Sequence, residues 1–370
     1  MSQIEDDERL MAAVLSLSRR SLGLAAPNPS VGALVVKDGR ILGSGVTGQG
    51  GRPHAETQAL LEAGDAAKGA TLYVSLEPCS HHGRTPPCTD AIVAAGIARV
   101  VSALEDPNPQ VAGAGHKLLR AAGLEVVTGI RENEAFRLHL GHILAITAAR
   151  PMLTVKLAET VDGFAAGRAG DSRLAITGAL ANAFVHMQRA LHDAILIGIG
   201  TAIADDPLLT IRLLGLEARK PLRIVLDTKL RLSPESQLAR TARDIPTLVI
   251  AGNAAQAEAV GALEAKHVEV VKLPVNETGH LDLKELLAHL GARGLTRILS
   301  EGGPCLAGAL IDAGFADDVI LLESQNPLGY DGLPALDERK RAKLSDEALY
   351  HCAETRHLGE DRLTRYERKL

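Results

Sequence analysis

The chain has 370 residues, above the roughly 250–300 residues at which a single core stops growing, so two domains are expected. Apolar residues make up 46% and charged residues 23%, a globular balance that excludes a disordered or fibrous chain. The 40 Lys and Arg against 45 Asp and Glu give a net charge of −5, and aromatic residues are 2% with no Trp. There is thus no global basic field and few stacking platforms for a nucleic acid, and small substrates are favoured.

The N-terminal stretch MSQIEDDERLMAAVLSLSRRSLG lacks a basic region followed by an apolar one, so it does not read as a signal peptide. Its Leu10, Val14, Leu17 and Leu22 recur at helical spacing and predict a helix over about residues 5–21. No stretch approaches ~18 uninterrupted apolar residues, so no membrane span is expected and a cytoplasmic protein is. VGALVVKDGRILGSG then predicts a β-hairpin around Lys37-Asp38-Gly39. HAETQALLEAG reads as a helix, GATLYVSLEP as a strand, CTDAIVAAG as a helix, RVVSALE as a strand, GAGHKLLRAAG as a helix and LEVVTG as a strand. This succession predicts a sheet covered by helices. Residues 130–150 read as a connecting helix that ends before Pro151. Beyond it MLTVKLAE, DAILIGIG, LRIVLD, TLVIAG, VEVVKL, RILSEGG and DDVILLE predict strands of a second α/β domain, interleaved with helices such as ALANAFVHMQRA and LDLKELLAHLG. No internal repeat joins the halves.

Chemistry concentrates first in PHAETQALL and LEPCSHHGRTPPCTD. His54 and Glu56 open a helix, Cys79 follows a strand, and Cys88 starts the next helix, whose N-terminus stabilises anionic sulfur. Three N or S ligands leave the fourth position of a tetrahedral zinc to water, lowering the water's pKa from ~15.7 to about 7, and a carboxylate that is not a ligand moves the proton. These are the parts of the zinc deaminases, H-x-E followed by P-C-x-x-C. Here the second cysteine follows eight intervening residues, and His82 falls where it is usually found. On spacing alone a metal has Cys79, His81, His82 and Cys88 to choose from, and a closed structural site with His82 as fourth ligand competes with the catalytic one. Cys305 and Cys352 are solitary, and four cysteines are too few for a disulfide framework.

PNPSVGALVVKDGRILGSG, GGRPHAETQAL, VSLEPCSHHGRTPPCTDAI and EDPNPQVAGAG resemble the deaminase domain of the bifunctional riboflavin-biosynthesis enzymes, and the resemblance covers nearly the whole chain. It implies a cytidine-deaminase-like αβα domain over residues 1–147, with His54, Cys79 and Cys88 as zinc ligands, one zinc per deaminase domain, and Glu56 as proton shuttle. It also implies hydrolysis of 2,5-diamino-6-ribosylamino-4(3H)-pyrimidinone 5′-phosphate at its 2-amino group, with Asn28 facing the pyrimidine. His81 and His82 are then left either to meet the substrate or to stand in a solvated loop.

The second half lacks G-x-G-x-x-G: Gly198-x-Gly200 has no third glycine. RILSEGGPCLAGAL runs from a strand through glycines into a helix, which is either a phosphate site at a helix N-terminus or an ordinary strand-to-helix turn. LTVKLAETVDGFAA, GDSR, LIGIGTAIADDPLLTIR, RIVLD and SEGGPCLAGALI resemble the reductase domain of the same family, implying a dihydrofolate-reductase-like α/β domain over residues 148–370 that uses NADPH. Cofactor contacts are implied for Ala158, Leu174, Thr201, Asp205 and Thr228, and for Gly303, Pro304, Cys305, Leu306, Ala307, Gly308 and Ala309. Substrate contacts are implied for Ser172, Arg189, Leu209, Arg212 and Glu301, the arginines suiting a 5′-phosphate through their guanidinium fork. Leu174 stands where the family usually has an aromatic residue, and LLESQNPLGYDG departs from the family's usual late strand ending in paired glycines.

The sequence therefore predicts a bifunctional α/β enzyme that deaminates and then reduces one phosphorylated pyrimidine, a homo-oligomer with no nucleic-acid or membrane partner. A nucleoside or RNA deaminase with an accessory domain is one alternative, and a non-catalytic zinc-stabilised binding protein is another. Glu56 weighs against the last, because a structural site has no use for a carboxylate beside an open metal position.

Overall fold

The computed structural model describes residues 3–81, 86–108, 111–168, 170–171 and 174–370. It divides into two compact units, Met1–Pro151 with Gly294–Thr296, and Met152–Arg293 with Arg297–Leu370.

The first unit runs α1 (Gln3–Ser18), β1 (Gly32–Lys37), β2 (Arg40–Val46), α2 (Ala55–Ala63), β3 (Thr71–Val74), α3 (Cys88–Ala94), β4 (Arg99–Ser102), α4 (Ala114–Ala121), β5 (Glu125–Thr128) and α5 (Glu132–Thr147). Its sheet has the order β2-β1-β3-β4-β5. β1 lies antiparallel to β2 and β3, and β3, β4 and β5 are parallel. The predicted hairpin forms because Asp38 (φ 51) and Gly39 (φ 73) both take positive φ, as a two-residue turn matching the strand twist requires. The predicted first helix ends at Ser18 and continues as a 3₁₀ turn over Arg19–Ser21. It buries Leu10, Met11, Val14 and Leu15. Its Asp7 is also buried, held by Arg99 Nη1 and Nη2 at 2.9 and 2.7 Å and by the Tyr73 hydroxyl at 2.7 Å, so this buried charge is paired and hydrogen-bonded.

The second unit runs β6 (Met152–Glu159), β7 (Phe164–Ala166), α6 (Ala179–Ala190), β8 (Ala194–Gly198), α7 (Ile199–Asp205), β9 (Leu222–Leu226), α8 (Gln237–Arg240), β10 (Thr247–Gly252), α9 (Ala257–Glu264), β11 (Glu269–Leu273), α10 (Leu283–Ala292), β12 (Arg297–Ser300), α11 (Pro304–Asp312), β13 (Asp318–Glu323), β14 (Leu333–Pro334), α12 (Glu338–Ser345), β15 (Tyr350–Leu358) and β16 (Asp361–Arg368). The large sheet has the order β11-β10-β9-β8-β12-β6-β13-β16-β15. The strands from β11 to β13 in that order are parallel, and β16 and β15 add an antiparallel hairpin at the edge. From β6 the chain skips a position to β8, walks out to β11, and returns to insert β12 into the gap. Strand order thus reverses around β12, where open α/β sheets bind ligands beyond their carboxyl ends. Ala158, Thr201, Thr228, Glu301 and Gly303 all lie at that edge, at or just after the ends of β6, β8, β9 and β12. Among the described residues no helix is long and apolar enough to cross a membrane.

Candidate active sites

In the first unit α2 lies directly on β2. A Cβ at Gly45 would fall 2.0 Å from the Ala55 carbonyl oxygen, and one at Gly43 would fall 2.1 Å from that of Ala59. Two glycines on one strand face thus let the helix start close to the sheet, which fixes His54 at its N-cap and Glu56 in its first turn. Cys79 follows β3, and Cys88 is the first residue of α3. The three meet: His54 Nδ1 is 3.2 Å from Cys88 Sγ and 3.6 Å from Cys79 Sγ, and the Cys88 amide donates to Cys79 Sγ at 3.3 Å. One ligand atom from each lies within 4.8 Å of the others. A tetrahedron with bonds of ~2.0–2.3 Å has edges of about 3.3–3.8 Å, so this donor set of one imidazole nitrogen and two sulfurs fits zinc with one position to spare.

Glu56 is 4% exposed and its carboxyl meets the Cys88 side chain. Burial pushes its pKa up, with the Cys79 charge adding to the rise. Of the two thiols, Cys79 is driven toward thiolate by the hydrogen bond from Cys88, helped by His54 and the Cys88 amide, while that same bond and burial drive Cys88 up. The bond to Cys79 raises His54. Asn28 reaches the loop before His54, its Nδ2 donating to the Gly50 carbonyl at 3.3 Å. Gly51 (φ 93) leaves it room, since a Cβ there would lie 2.0 Å from that nitrogen. His81 is exposed. His82 lies outside the described residues, and with it the alternative fourth ligand.

In the second unit most of the described residues expected at the reductase site lie at or beyond the carboxyl ends of β6, β8, β9 and β12. Arg189, on α6, forks onto Glu301: Nε to Oε1 at 2.5 Å and Nη2 to Oε2 at 2.8 Å. Its Nη1 donates to the Thr210 carbonyl at 2.7 Å. Burial pushes the Glu301 carboxyl up, but Arg189 outweighs it and the net shift is down. The fork expected to take a phosphate is therefore occupied by Glu301, while Arg212 is exposed and donates to Thr210 Oγ1 at 3.2 Å. Leu209 is buried with φ 52, a strained conformation for a bulky side chain that costs about 1–3 kcal/mol and must be held from outside. Ser172 lies outside the described residues.

Thr201 Oγ1 accepts the Gly303 amide at 3.1 Å, tying α7 to the N-cap of α11. Pro304 at the first helical position has no N–H, so the first turn presents the amides of Cys305 and Leu306. Ala307 and Gly308 are buried, while Cys305 and Ala309 are exposed. Asp205 closes α7, Thr228 follows β9 with its carbonyl accepting the Gly252 amide at 3.0 Å, and Leu174 stands half-buried in the coil before α6.

The description "Cytidine and deoxycytidylate deaminase zinc-binding region" matches residues 4–104, and "RibD C-terminal domain" matches residues 151–361. Riboflavin biosynthesis protein RibD of Escherichia coli K12 is 40% identical over 96% of this chain and 97% of its own length. That of Aquifex aeolicus is 39% identical over 98% and 99%. The chain belongs to the RibD family. Among solved structures, the Thermotoga maritima diaminohydroxyphosphoribosylaminopyrimidine deaminase/5-amino-6-(5-phosphoribosylamino)uracil reductase matches with a TM-score of 0.84 at 33% identity, covering both chains fully. Acinetobacter baumannii RibD matches with a TM-score of 0.85 at 32% identity, again over both full lengths. Membership of the RibD family makes the chain bifunctional, a deaminase and a reductase of riboflavin biosynthesis, with a cytidine-deaminase-like N-terminal domain and a dihydrofolate-reductase-like C-terminal one. Zinc and NADPH are the cofactors consistent with those domains.

Sequence reasoning missed groups that act through the backbone. Buried Glu77 collects the amides of Asp106, Gly113, Gly115 and His116 at 3.1, 2.9, 2.7 and 3.3 Å, fastening the loop between β4 and α4 to the segment that carries Cys79. Glu77, Glu105 and His116 also bring ligand atoms within 4.8 Å, but four amides already engage the Glu77 lone pairs, so this carboxylate acts as a loop anchor. Beside Ala158, buried Glu159 takes Arg341 of α12, Nη1 to Oε1 at 3.1 Å. The proximity of Glu77 to Pro78-Cys79 was a usable signal; nothing local marks the partner of Glu159, 182 residues away.

Proposed function

We propose that this chain hydrolyses the 2-amino group of 2,5-diamino-6-ribosylamino-4(3H)-pyrimidinone 5′-phosphate in the domain of residues 1–147. It then reduces the ribosyl side chain in the domain of residues 148–370, giving 5-amino-6-ribitylaminouracil 5′-phosphate. The observation that carries the reading is the buried Glu56 carboxyl against a His54–Cys79–Cys88 trio spaced for one zinc. Zinc, when bound there, supplies the Lewis acidity that makes water a nucleophile at neutral pH.

Glu56 takes a proton from the attacking water, delivers it to the ring nitrogen beside C2, and passes the next to the departing ammonia. Its burial limits exchange of that proton with bulk solvent. Asn28, in the loop before β1 and bonded to Gly50 in the loop before α2, orients the pyrimidine.

When bound in the second domain, NADPH would supply the hydride for C1′ of the ring-opened imine, with a proton going to the nitrogen. Thr201 holds Gly303 so that the Cys305 and Leu306 amides meet a cofactor phosphate, with Ala158, Leu174, Asp205, Thr228 and the rest of the 303–309 turn around it. Arg212 meets the 5′-phosphate of the substrate, and Arg189 holds Glu301 and Thr210 for it, with Leu209 and Ser172 completing that wall. A homo-oligomer in the cytoplasm is part of the same proposal.

The test supplies protein, zinc and the diaminopyrimidine phosphate with and without NADPH, following ammonia and cofactor absorbance separately. Ammonia release without NADPH, and NADPH oxidation only after it, are expected. Silence in both channels refutes the reading.

A further inference from the structure

We infer that His186 is a positioning residue for the reductase, fastening α6 to the Thr210–Arg212 segment so that Arg212 faces the substrate phosphate. The inference rests on the reading of Arg212 given above. His186 stands one turn before Arg189 on α6 and is half-buried. Its Nδ1 lies 3.1 Å from the Thr210 carbonyl oxygen and 3.3 Å from the Arg212 amide nitrogen. One ring nitrogen between a donor and an acceptor serves one of them at a time.

The charged groups facing the ring come from three elements: Arg189 on α6, Arg212 on the segment itself and Glu301 after β12. Burial first, then the two arginines, holds the imidazole below its ordinary range against the smaller pulls of the Thr210 carbonyl and Glu301, so the ring is neutral at pH 7. The Thr210 carbonyl already accepts Arg189 Nη1 at 2.7 Å. A bare Nδ1 that accepts the Arg212 amide therefore leaves neither backbone group without a partner, and this is the tautomer the inference assigns.

This anchor sits where the backbone needs one. Leu209 begins the segment with φ 52, and Arg223 Nη1 holds the preceding Leu208 carbonyl at 3.1 Å from the β9 side. His186 supplies the matching hold on the far side of the strained residue. Without it the Arg212 backbone loses its partner, and the guanidinium it carries loses its direction toward the phosphate.

The test uses the full-length enzyme with NADPH and the deaminated phosphorylated substrate. For His186→Leu we expect a KM for that substrate about tenfold higher, the equivalent of losing one well-placed hydrogen bond, with kcat and the KM for NADPH within about twofold. The KM for the dephosphorylated analogue stays within the same margin. Hydrogen exchange of the peptide spanning residues 209–212 becomes faster. His186→Asn places an acceptor near the position of Nδ1 and restores both readouts, whereas His186→Gln places it near Nε2 and restores neither.

Unchanged exchange in His186→Leu overturns the inference and leaves the Arg212 reading standing. Equal rescue by Gln and Asn, or a matching loss for the dephosphorylated analogue, overturns it as well. An unchanged KM also overturns it, and Arg212→Ala then decides the rest: if that variant too leaves the KM unmoved, the phosphate reading falls, and if it raises the KM, only the role of His186 falls.

Discussion

Replacing Glu56 by Gln is the sharpest test of the deaminase site. The two side chains have nearly the same shape, and Glu56 is 4% exposed within the first turn of α2, so the amide occupies the same space without opening a path for water. What changes is proton capacity. An amide neither accepts the proton of the attacking water nor returns it to the leaving nitrogen, and a positioned acid–base group contributes about 10²–10⁴-fold, or about 2.7–5.5 kcal/mol of barrier. His54, Cys79 and Cys88 are untouched, so zinc should remain near one per chain by atomic absorption. Ammonia release should fall by at least a hundredfold in kcat, while NADPH oxidation on pre-deaminated substrate stays within twofold of wild type. Deamination within tenfold of wild type refutes the proton-shuttle role, and loss of zinc makes Glu56 a ligand instead.

Three further outcomes follow from the same geometry. Cys88→Ser should lose zinc and His82→Ala should keep it; metal retained only in the serine variant transfers the third ligand to His82. Thr201→Val removes the acceptor of the Gly303 amide, which costs about 1–1.5 kcal/mol and should raise the KM for NADPH roughly five- to tenfold with deamination unaffected; an unchanged KM detaches that turn from the cofactor. Buried His192 is held down to about 3 from 6.5, chiefly by burial and then by Arg297. Between those values the unfolded chain binds the extra proton, so its contribution to stability is complete above about pH 6.5 and falls by up to about 1.4 kcal/mol per pH unit below it. Urea midpoints of the second unit between pH 7 and 5 should show that slope in wild type and a shallower one in His192→Gln, and equal slopes would refute the assignment.

Where the fold was legible, the signal was local and periodic. Asp38-Gly39 between two apolar runs specified a turn with two positive φ values, and β6 and β8–β13 were visible as apolar runs because strands of a parallel sheet are covered on both faces. β15 and β16 were not named, since an edge hairpin with most of β15 exposed carries no such run. The short β7–β14 ribbon offers too few residues for a period to register. The sequence also left silent the insertion of β12 between β8 and β6, which no pattern within a single strand encodes.

The same division runs through the sites. That His54, Glu56, Cys79 and Cys88 come together was legible because each stands in a short motif at a helix start or after a strand, where the expected chemistry and the local structure coincide. The reductase site is made of pairings across distance: Arg189 with Glu301 is 112 residues apart and Thr201 with Gly303 is 102. Motif resemblance pointed to the residues but not to which of them face a ligand and which hold one another. That distinction alters the chemistry, because a guanidinium fork already closed on a carboxylate is a scaffold, and under the function proposed above the phosphate is left to Arg212. The inserted strand makes it so: placing β12 beside β8 carries Glu301 to Arg189, and the Glu301 amide bonds to Leu196 of β8 at 2.9 Å. The role of each arginine is therefore a consequence of strand order, and strand order is set by the packing of the whole sheet.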